Sequence, residues 1–150
     1  MKYIFSSAVA VALLALSVNS NAADGVSGQF ATQFNVARTL ADQYGQEAMK
    51  HDKNAKLSAE AGRAFYTKKV VVGGKEMSCS ACHTNDPTKE GKHVDTGKPI
   101  KPVAISANPD AFSDVKKVEK NFSTHCRDLY RKDCAALDKG NFLTYMLSVK

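Results

Sequence analysis

Two cysteines and a histidine lie close enough in the sequence to bind one large cofactor. The segment Cys79-Ser80-Ala81-Cys82-His83 has the spacing C-x-x-C-H, which is the attachment motif of c-type haem. Two intervening residues let one short turn present both thiols to the two vinyl groups on one edge of the porphyrin. The motif therefore predicts one covalently attached haem c, bound through Cys79 and Cys82, with His83 as the proximal ligand of the iron.

A C-x-x-C segment has other uses, which this sequence supports less well. A thioredoxin-like redox pair needs a βαβ setting, and no such pattern surrounds the motif. A structural zinc site needs four ligands with paired spacing, and no second C-x-x-C is present to join His93. A plain disulfide between Cys79 and Cys82 would close a strained ring.

The ligand on the other face of the iron decides what such a protein does. A methionine suits electron transfer, a second histidine lowers the reduction potential, and an open position permits gas binding. The candidates are His51, Met49, Met77, His93, His125 and Met146. We predict His125, because it falls on the apolar face of a helix, where a solvated histidine is not expected. Met146 is expected to pack the terminal helix, and His93 is expected to be exposed.

The N-terminal residues 1–22 have the pattern of an export signal. Lys2 precedes an apolar segment from Ile4 to Val18, and Ser20-Asn21-Ala22 places small residues where a signal peptidase reads them. We expect cleavage after Ala22, with Ala23 as the neighbouring alternative, and a periplasmic mature protein. An uncleaved anchor is the other interpretation, although the apolar segment is short for a membrane span.

A second cysteine pair, Cys126 and Cys134, adjoins the predicted ligand. Eight helical residues would separate the two Cα atoms by roughly 12 Å, whereas a disulfide tolerates at most about 7 Å. If the bond forms, the helix must therefore end near Tyr130 and turn back through Arg131-Lys132-Asp133. The alternative is two buried free thiols, which is less expected outside the cytoplasm, where disulfides persist.

Helical patterns account for most of the chain, which predicts an all-α fold of about five helices around one core. The expected domains are a signal peptide at 1–22, an N-terminal helical extension at 23–57 and a cytochrome c domain at 58–150. The predicted helices are Gly28–Met49, a segment capped by Ser58 that stops near Lys68, a short one capped by Asn108, one capped by Asp114, and Ala135–Val149. We interpret Val70–Val72 as an unpaired extended connector that ends in Gly73-Gly74.

Two of these helices have well-defined apolar faces, with steps of three and four residues. The face of the first helix consists of Phe30, Phe34, Ala37, Ala41 and Tyr44. The face of the helix after Asp114 consists of Val115, Val118, Phe122, His125 and Leu129. The segment between Cys79 and Ala107 is expected to be mostly irregular, because its prolines and glycines forbid a long regular element.

The chain has 150 residues and a formal charge of +6. Export argues against a nucleic-acid partner, so a positive surface points to an acidic protein or an anionic membrane surface, unless the lysines only maintain solubility. Seven lysines flank the haem segment and could steer an acidic redox partner. They are Lys68, Lys69, Lys75, Lys89, Lys92, Lys98 and Lys101.

From Gly62 onward the sequence resembles the Sphaeroides haem protein family, a branch of class I cytochrome c. The long helix before Gly62 is not covered. The matching segments are Gly62-Arg63-Ala64-Phe65, the haem motif, Thr96-Gly97-Lys98 with Ile100, Pro102, Ser106-Ala107-Asn108-Pro109, Phe112-Ser113-Asp114, Val118-Glu119-Lys120, Cys126 with Arg131–Cys134, and the Tyr145 region.

The resemblance implies several features beyond the class I cytochrome c fold. The helix at Gly62 should cross the terminal helix near Tyr145, and the Pro102 carbonyl should accept a hydrogen bond from His83, which fixes the ring. The family also has a disulfide beside the sixth ligand, which corresponds to Cys126 and Cys134. Its suspected redox partner is a dihaem cytochrome c.

The sequence departs from the family at the sixth ligand. The family has a weakly bound asparagine that is displaced on reduction, so that oxygen or nitric oxide can bind, whereas this chain has His125. Because imidazole is a stronger ligand, we predict a low-spin, bis-histidine ferric state. Gas can then bind only if His125 leaves after reduction. Ile105 also replaces a proline and Ala135 a capping threonine, which we expect to be local changes.

These features together predict a periplasmic electron carrier with redox-gated binding of nitric oxide or another diatomic gas. The alternative is a haem enzyme or sensor that acts on oxygen, peroxide or nitric oxide. An enzyme needs an open site and a placed proton donor. Because the sequence shows no distal catalytic pair, we expect no catalytic residues. A sensor would need a separate output partner.

Overall fold

The computed structural model describes residues 22–150, with side chains from Gly28 onward, so residues 1–21 of the predicted export signal lie outside the described residues. Within this range the chain forms five α-helices, two small sheets and a short 3-10 helix, which agrees with the predicted all-α class. The helices are α1 Ala22–His51, α2 Ala59–Thr67, α3 Cys79–His83, α4 Val115–Tyr130 and α5 Ala136–Ser148, and the 3-10 helix is Pro109–Phe112. The strands are β1 Val70–Val72, β2 Lys75–Met77, β3 Gly91–Lys92 and β4 Pro99–Ile100. None of the helices described between residues 22 and 150 is long and apolar enough to cross a membrane.

Helix α5 packs against both α2 and α1, and a glycine permits the close approach at each crossing. A Cβ atom at Gly62 would overlap the Asn141 carbonyl and lie 2.8 Å from the Cβ of Tyr145. This confirms the predicted crossing of α2 and α5. A Cβ atom at Gly140 would lie 3.2 Å from the Cβ of Tyr44 on α1 and 2.6 Å from a methyl group of Leu57, in the loop after α1. Met146 is fully buried in the core, as expected for a packing residue.

The long helix α1 covers α5 with the centre of its predicted apolar face. Ala37, Ala41 and Tyr44 are buried there, whereas Phe30 remains 38% exposed, so the predicted face is wrong at its first position. The Gln33 side chain donates a hydrogen bond to Asp110 at the start of the 3-10 helix. This hydrogen bond therefore adds to the apolar contacts that hold α1 against the rest of the described chain.

The prediction of an unpaired connector at Val70–Val72 is wrong, because this segment forms an antiparallel hairpin with Lys75–Met77. Gly73 and Gly74 make the turn with φ angles of +58° and +79°, which is the conformation that a two-residue hairpin loop requires. The sequence did not predict the second strand, because Lys75-Glu76-Met77 has little alternation of apolar and polar residues. The hairpin forms part of the wall of the site described next.

Candidate haem-binding site

A cavity of about 370 Å³ brings together the residues that the sequence singled out. Both cysteines of the C-x-x-C-H motif line it, together with His83 from α3 and His125 from α4. The other walls are mostly apolar. Their apolar side chains are Phe65, Val72, Met77, Val94, Ile100, Phe122, Leu129 and Phe142.

The attachment motif is a single helical turn rather than irregular chain. The Ser78 hydroxyl caps it by accepting a hydrogen bond from the Ala81 amide at 3.1 Å. Gly91 of β3 lies so close beneath it that a Cβ atom there would overlap the Cys82 carbonyl. Cys79 and Cys82 are free thiols, and burial raises the pKa of Cys79 to about 11. Neither cysteine is engaged in a disulfide, so both sulfur atoms remain available for attachment to haem.

The imidazole of His83 faces the cavity in its neutral form. Burial, followed by the nearby His125, holds its pKa below the usual value. Its Nδ1 atom is buried and has no hydrogen-bond partner among the described residues. A neutral ring is the form that binds a metal.

The carbonyl of Pro102 accepts a 2.8 Å hydrogen bond from the side chain of Asn108. Asn108 occupies the predicted cap position before Pro109, but its side chain makes no capping bond, because it is engaged with Pro102. A carbonyl oxygen has two lone pairs, so Pro102 could still accept a bond from His83, and that bond stays a prediction.

Tyr66 holds the backbone behind the proximal histidine, a role that the sequence did not suggest. The side chain is fully buried, and its hydroxyl lies 3.0 Å from the carbonyl oxygen of His83 and 2.6 Å from that of Thr84. Thr84 has a φ angle of +64°, which is costly for a β-branched residue. The sequence feature that could have indicated this role is the hydroxyl of a tyrosine, where a phenylalanine would fill the same buried position.

Replacing Tyr66 by phenylalanine should lower the free energy of unfolding by about 1–3 kcal/mol, because the partly buried carbonyls of His83 and Thr84 lose the one hydroxyl donor that they share. Denaturant unfolding of the haem-loaded protein would measure this. Tyr145→Phe is the matched control, since its ring packs against Tyr66 but its hydroxyl makes no hydrogen bond to any described residue. Equal stability of the two variants would contradict the role assigned to Tyr66.

Helix α4 ends where the sequence predicted, at Tyr130, and Arg131 caps it in the left-handed conformation with φ +59°. Cys126 and Cys134 are joined by a disulfide, with their Cα atoms 5.6 Å apart. Arg127 adds two hydrogen bonds to Asp133, at 3.0 and 2.9 Å. The segment after α4 is therefore fastened to its last two turns.

His125 extends into the cavity from these last turns of α4, and its side chain is exposed there. The predicted apolar face of α4 is wrong at Val115, which is 43% exposed, and correct at Val118, which is buried. His93 also lines the cavity although it is exposed. Its Nδ1 atom accepts 3.3 Å hydrogen bonds from the amides of Asp95 and Thr96.

Tyr130 contributes a second unpartnered polar atom to the wall. Its hydroxyl is buried without a hydrogen-bond partner in the described part of the chain, and burial raises its pKa to about 12. An apolar cavity with two free thiols, two histidines from separate helices and isolated polar atoms suits a flat, largely apolar group with a metal at its centre. The residues present therefore fit haem.

Comparison with known families supports this chemistry. Residues 52–146 match the family described as "Domain of unknown function (DUF1924)". Two curated proteins are similar in sequence. Cytochrome c'' of Methylophilus methylotrophus is 42% identical over 88 residues, which span 58% of this chain and 61% of that protein. The cytochrome c-type protein SHP of Cereibacter sphaeroides is 38% identical over 94 residues, which span 61% of this chain and 71% of that protein.

Solved structures of the same two proteins share the fold. The crystal structure of oxidised cytochrome c'' gives a TM-score of 0.74 at 34% identity and covers 78% of this chain and 97% of that one. Oxidised SHP, described as an oxygen-binding cytochrome c, gives 0.65 at 32% identity and covers 73% and 94%. Because 78% of 150 residues is about 117, and only 99 residues follow His51, the match to cytochrome c'' includes part of α1.

Proposed function

Since the chain belongs to the DUF1924 family and, as a c-type cytochrome with one covalently attached haem c, to the Sphaeroides haem protein family, we propose that it is a periplasmic electron carrier with a detachable ligand. Its sixth ligand, His125, leaves on reduction and gives nitric oxide or another diatomic gas access to the iron. The observation that carries this proposal is the meeting of His83 and His125, from two separate helices, in one cavity.

The residues of the motif would hold the cofactor. Cys79 and Cys82 would form the two thioethers, and His83 would bind the iron, with the Pro102 carbonyl accepting its Nδ1–H. When bound, the haem supplies an iron that takes up and returns one electron. The chain supplies an apolar wall that excludes water and a proximal turn that is fixed by Tyr66 and Gly91.

The distal side is built differently from the proximal side, which supports release there. His83 belongs to a turn that is clamped from α2 and β3, whereas His125 lies in the last turns of α4, which ends at Tyr130. A solution structure of cytochrome c'' addresses haem-ligand detachment in that protein. That structure matches this chain at 37% identity with a TM-score of 0.68. We extend the same behaviour to His125.

Spectra of the purified haem protein would test the proposal. The oxidised protein should be low-spin with two imidazole ligands. The reduced protein should contain a fraction of five-coordinate molecules, from which His125 has left, and should bind carbon monoxide or nitric oxide through that fraction. A reduced protein that stays low-spin and excludes both gases would leave a plain electron carrier. An oxidised protein that is already high-spin would contradict ligation by His125.

Export and partner choice complete the proposal. We place the mature protein in the periplasm, with its signal removed after Ala22. The exposed side chains of Val71 and Val94, beside the lysines of the haem segment, form a surface suited to an acidic redox partner, for which we propose a dihaem cytochrome c.

Reversing the charge of Lys92, Lys98 and Lys101 together should slow reduction by such a partner about tenfold or more at low salt, because steering depends on charge. Stopped-flow reduction at increasing ionic strength would measure the effect, and the difference from wild type should vanish at high salt. The matched control reverses Lys53 and Lys56, in the loop between α1 and α2. Equal slowing by both sets would contradict docking at the haem edge.

A further inference from the structure

A polar network joins the helix that carries His125 to the rest of the protein. The Tyr44 hydroxyl of α1 donates a 2.5 Å hydrogen bond to one carboxylate oxygen of Glu119 on α4. Lys139 of α5 donates to the other oxygen at 3.0 Å, and its ammonium lies 4.4 Å from the centre of the Tyr44 ring. Three helices therefore meet at one carboxylate.

Two of the three side chains, Tyr44 and Lys139, are shielded from solvent, whereas the Glu119 side chain is 46% exposed. The bonds are therefore partly protected, and we expect them to be stronger than those of fully exposed pairs. Tyr44 is 6% exposed, and the Lys139 side chain is 19% exposed. Burial, followed by the Glu119 carboxylate, raises the pKa of Tyr44. Although burial would raise the pKa of Glu119, the bonds from Tyr44 and Lys139 hold it below its usual value.

The other side-chain bonds of α4 do not tie it to a neighbouring helix. Ser123 and Arg127 both bond to Asp133, and Cys126 bonds to Cys134, so these contacts only fasten the segment that follows α4. Among the described residues, every hydrogen bond from a side chain of α4 to another helix ends on Glu119.

Phe122 connects this network to the haem cavity. Its ring packs edge-on against Tyr44 with centroids 5.9 Å apart, and against Phe142 at 5.4 Å. Phe122 also lines the cavity, one turn before His125 on the same side of α4. A shift of α4 that withdraws His125 would therefore disturb the packing of Phe122 and the Tyr44–Glu119 bond.

We propose that Tyr44 and Glu119 are positioning residues for the sixth ligand. The hydrogen bond between them holds α4 where His125 can reach the iron. The inference rests on the proposed function of His125. A hydrogen bond shifts the equilibrium between bound and detached His125 only if its strength differs between these two states. We expect the Tyr44–Glu119 bond to be intact when His125 binds the iron and weaker when α4 moves away. The long helix α1 thereby sets how readily the ligand leaves.

The test compares the haem-loaded wild type with Tyr44→Phe. The variant should bind carbon monoxide about tenfold more tightly when reduced, as expected when a hydrogen bond to a charged group is lost from the His125-bound state. The reduction potential should rise, and the amides of α4 should exchange faster with deuterium. Gln33→Ala is the matched control, because it removes a hydrogen bond from α1 that does not involve α4.

The same comparison in a His125→Ala background separates this inference from the proposed function. If His125 is the ligand, Tyr44→Phe should no longer change carbon monoxide affinity in that background. An equal gain with and without His125 would overturn the inference, and so would an unchanged affinity in Tyr44→Phe alone. If wild-type spectra show no ligation by His125, the proposed function fails first and the inference fails with it.

Discussion

His125→Ala should convert the oxidised protein from low-spin to high-spin, with loss of the bis-imidazole signal in the EPR spectrum. We expect no other described histidine to replace His125 as the sixth ligand. The Nδ1 atom of His93 already accepts two backbone hydrogen bonds, and His51 lies at the end of α1. The change should therefore be complete rather than partial.

The same variant should bind carbon monoxide more tightly in the reduced state. In the wild type His125 competes for the position, so the apparent affinity is reduced by the fraction of molecules in which it has left the iron. If that fraction were about 1%, its removal would raise the affinity roughly 100-fold. A gas titration of the two reduced proteins would measure this ratio and hence the detached fraction itself.

His93→Ala is the matched control, because His93 lines the same cavity from the loop between β3 and β4. It should leave the oxidised protein low-spin and the gas affinity close to that of the wild type. A high-spin His93→Ala variant beside a low-spin His125→Ala variant would reverse the assignment and make His93 the sixth ligand.

Local chemistry made the helix ends predictable from sequence. Ser58 and Asp114 cap α2 and α4 by accepting hydrogen bonds from amides three residues later, and such caps depend only on nearby residues. The end of α4 at Tyr130 followed from the reach of a disulfide. The haem motif was equally local, since its chemistry needs five consecutive residues.

Features that depend on distant residues were not predictable in the same way. The bond from Tyr44 to Glu119 spans 75 positions, and nothing in either local pattern indicates the other residue. Asn108 occupies the predicted cap position, but its side chain bonds to Pro102 instead of capping the helix, because the intervening loop turns back on itself. Tertiary structure prevailed over local preference at each of these positions.

Removing the disulfide is the second change for which we expect a large effect, on both the unfolding free energy and the spin state of the iron. By the entropy of closing so short a loop, the double variant Cys126→Ser, Cys134→Ser should lose about 2.5 kcal/mol of unfolding free energy. Because Cys126 directly follows His125, the last turns of α4 should also loosen, and the oxidised protein should show a high-spin fraction that grows on warming. Denaturant unfolding and temperature-dependent optical spectra would measure the two effects separately.

Arg127→Ala provides the comparison that separates restraint by the disulfide from ion pairing. It removes the exposed pair with Asp133 across the same turn, and exposed ion pairs contribute little to stability. If the covalent link is what restrains His125, Arg127→Ala should remain low-spin while the serine variant does not. If both variants lose stability but stay low-spin, the disulfide acts on the fold alone, and the position of His125 is then set by the contacts of α4 with α1 and α5.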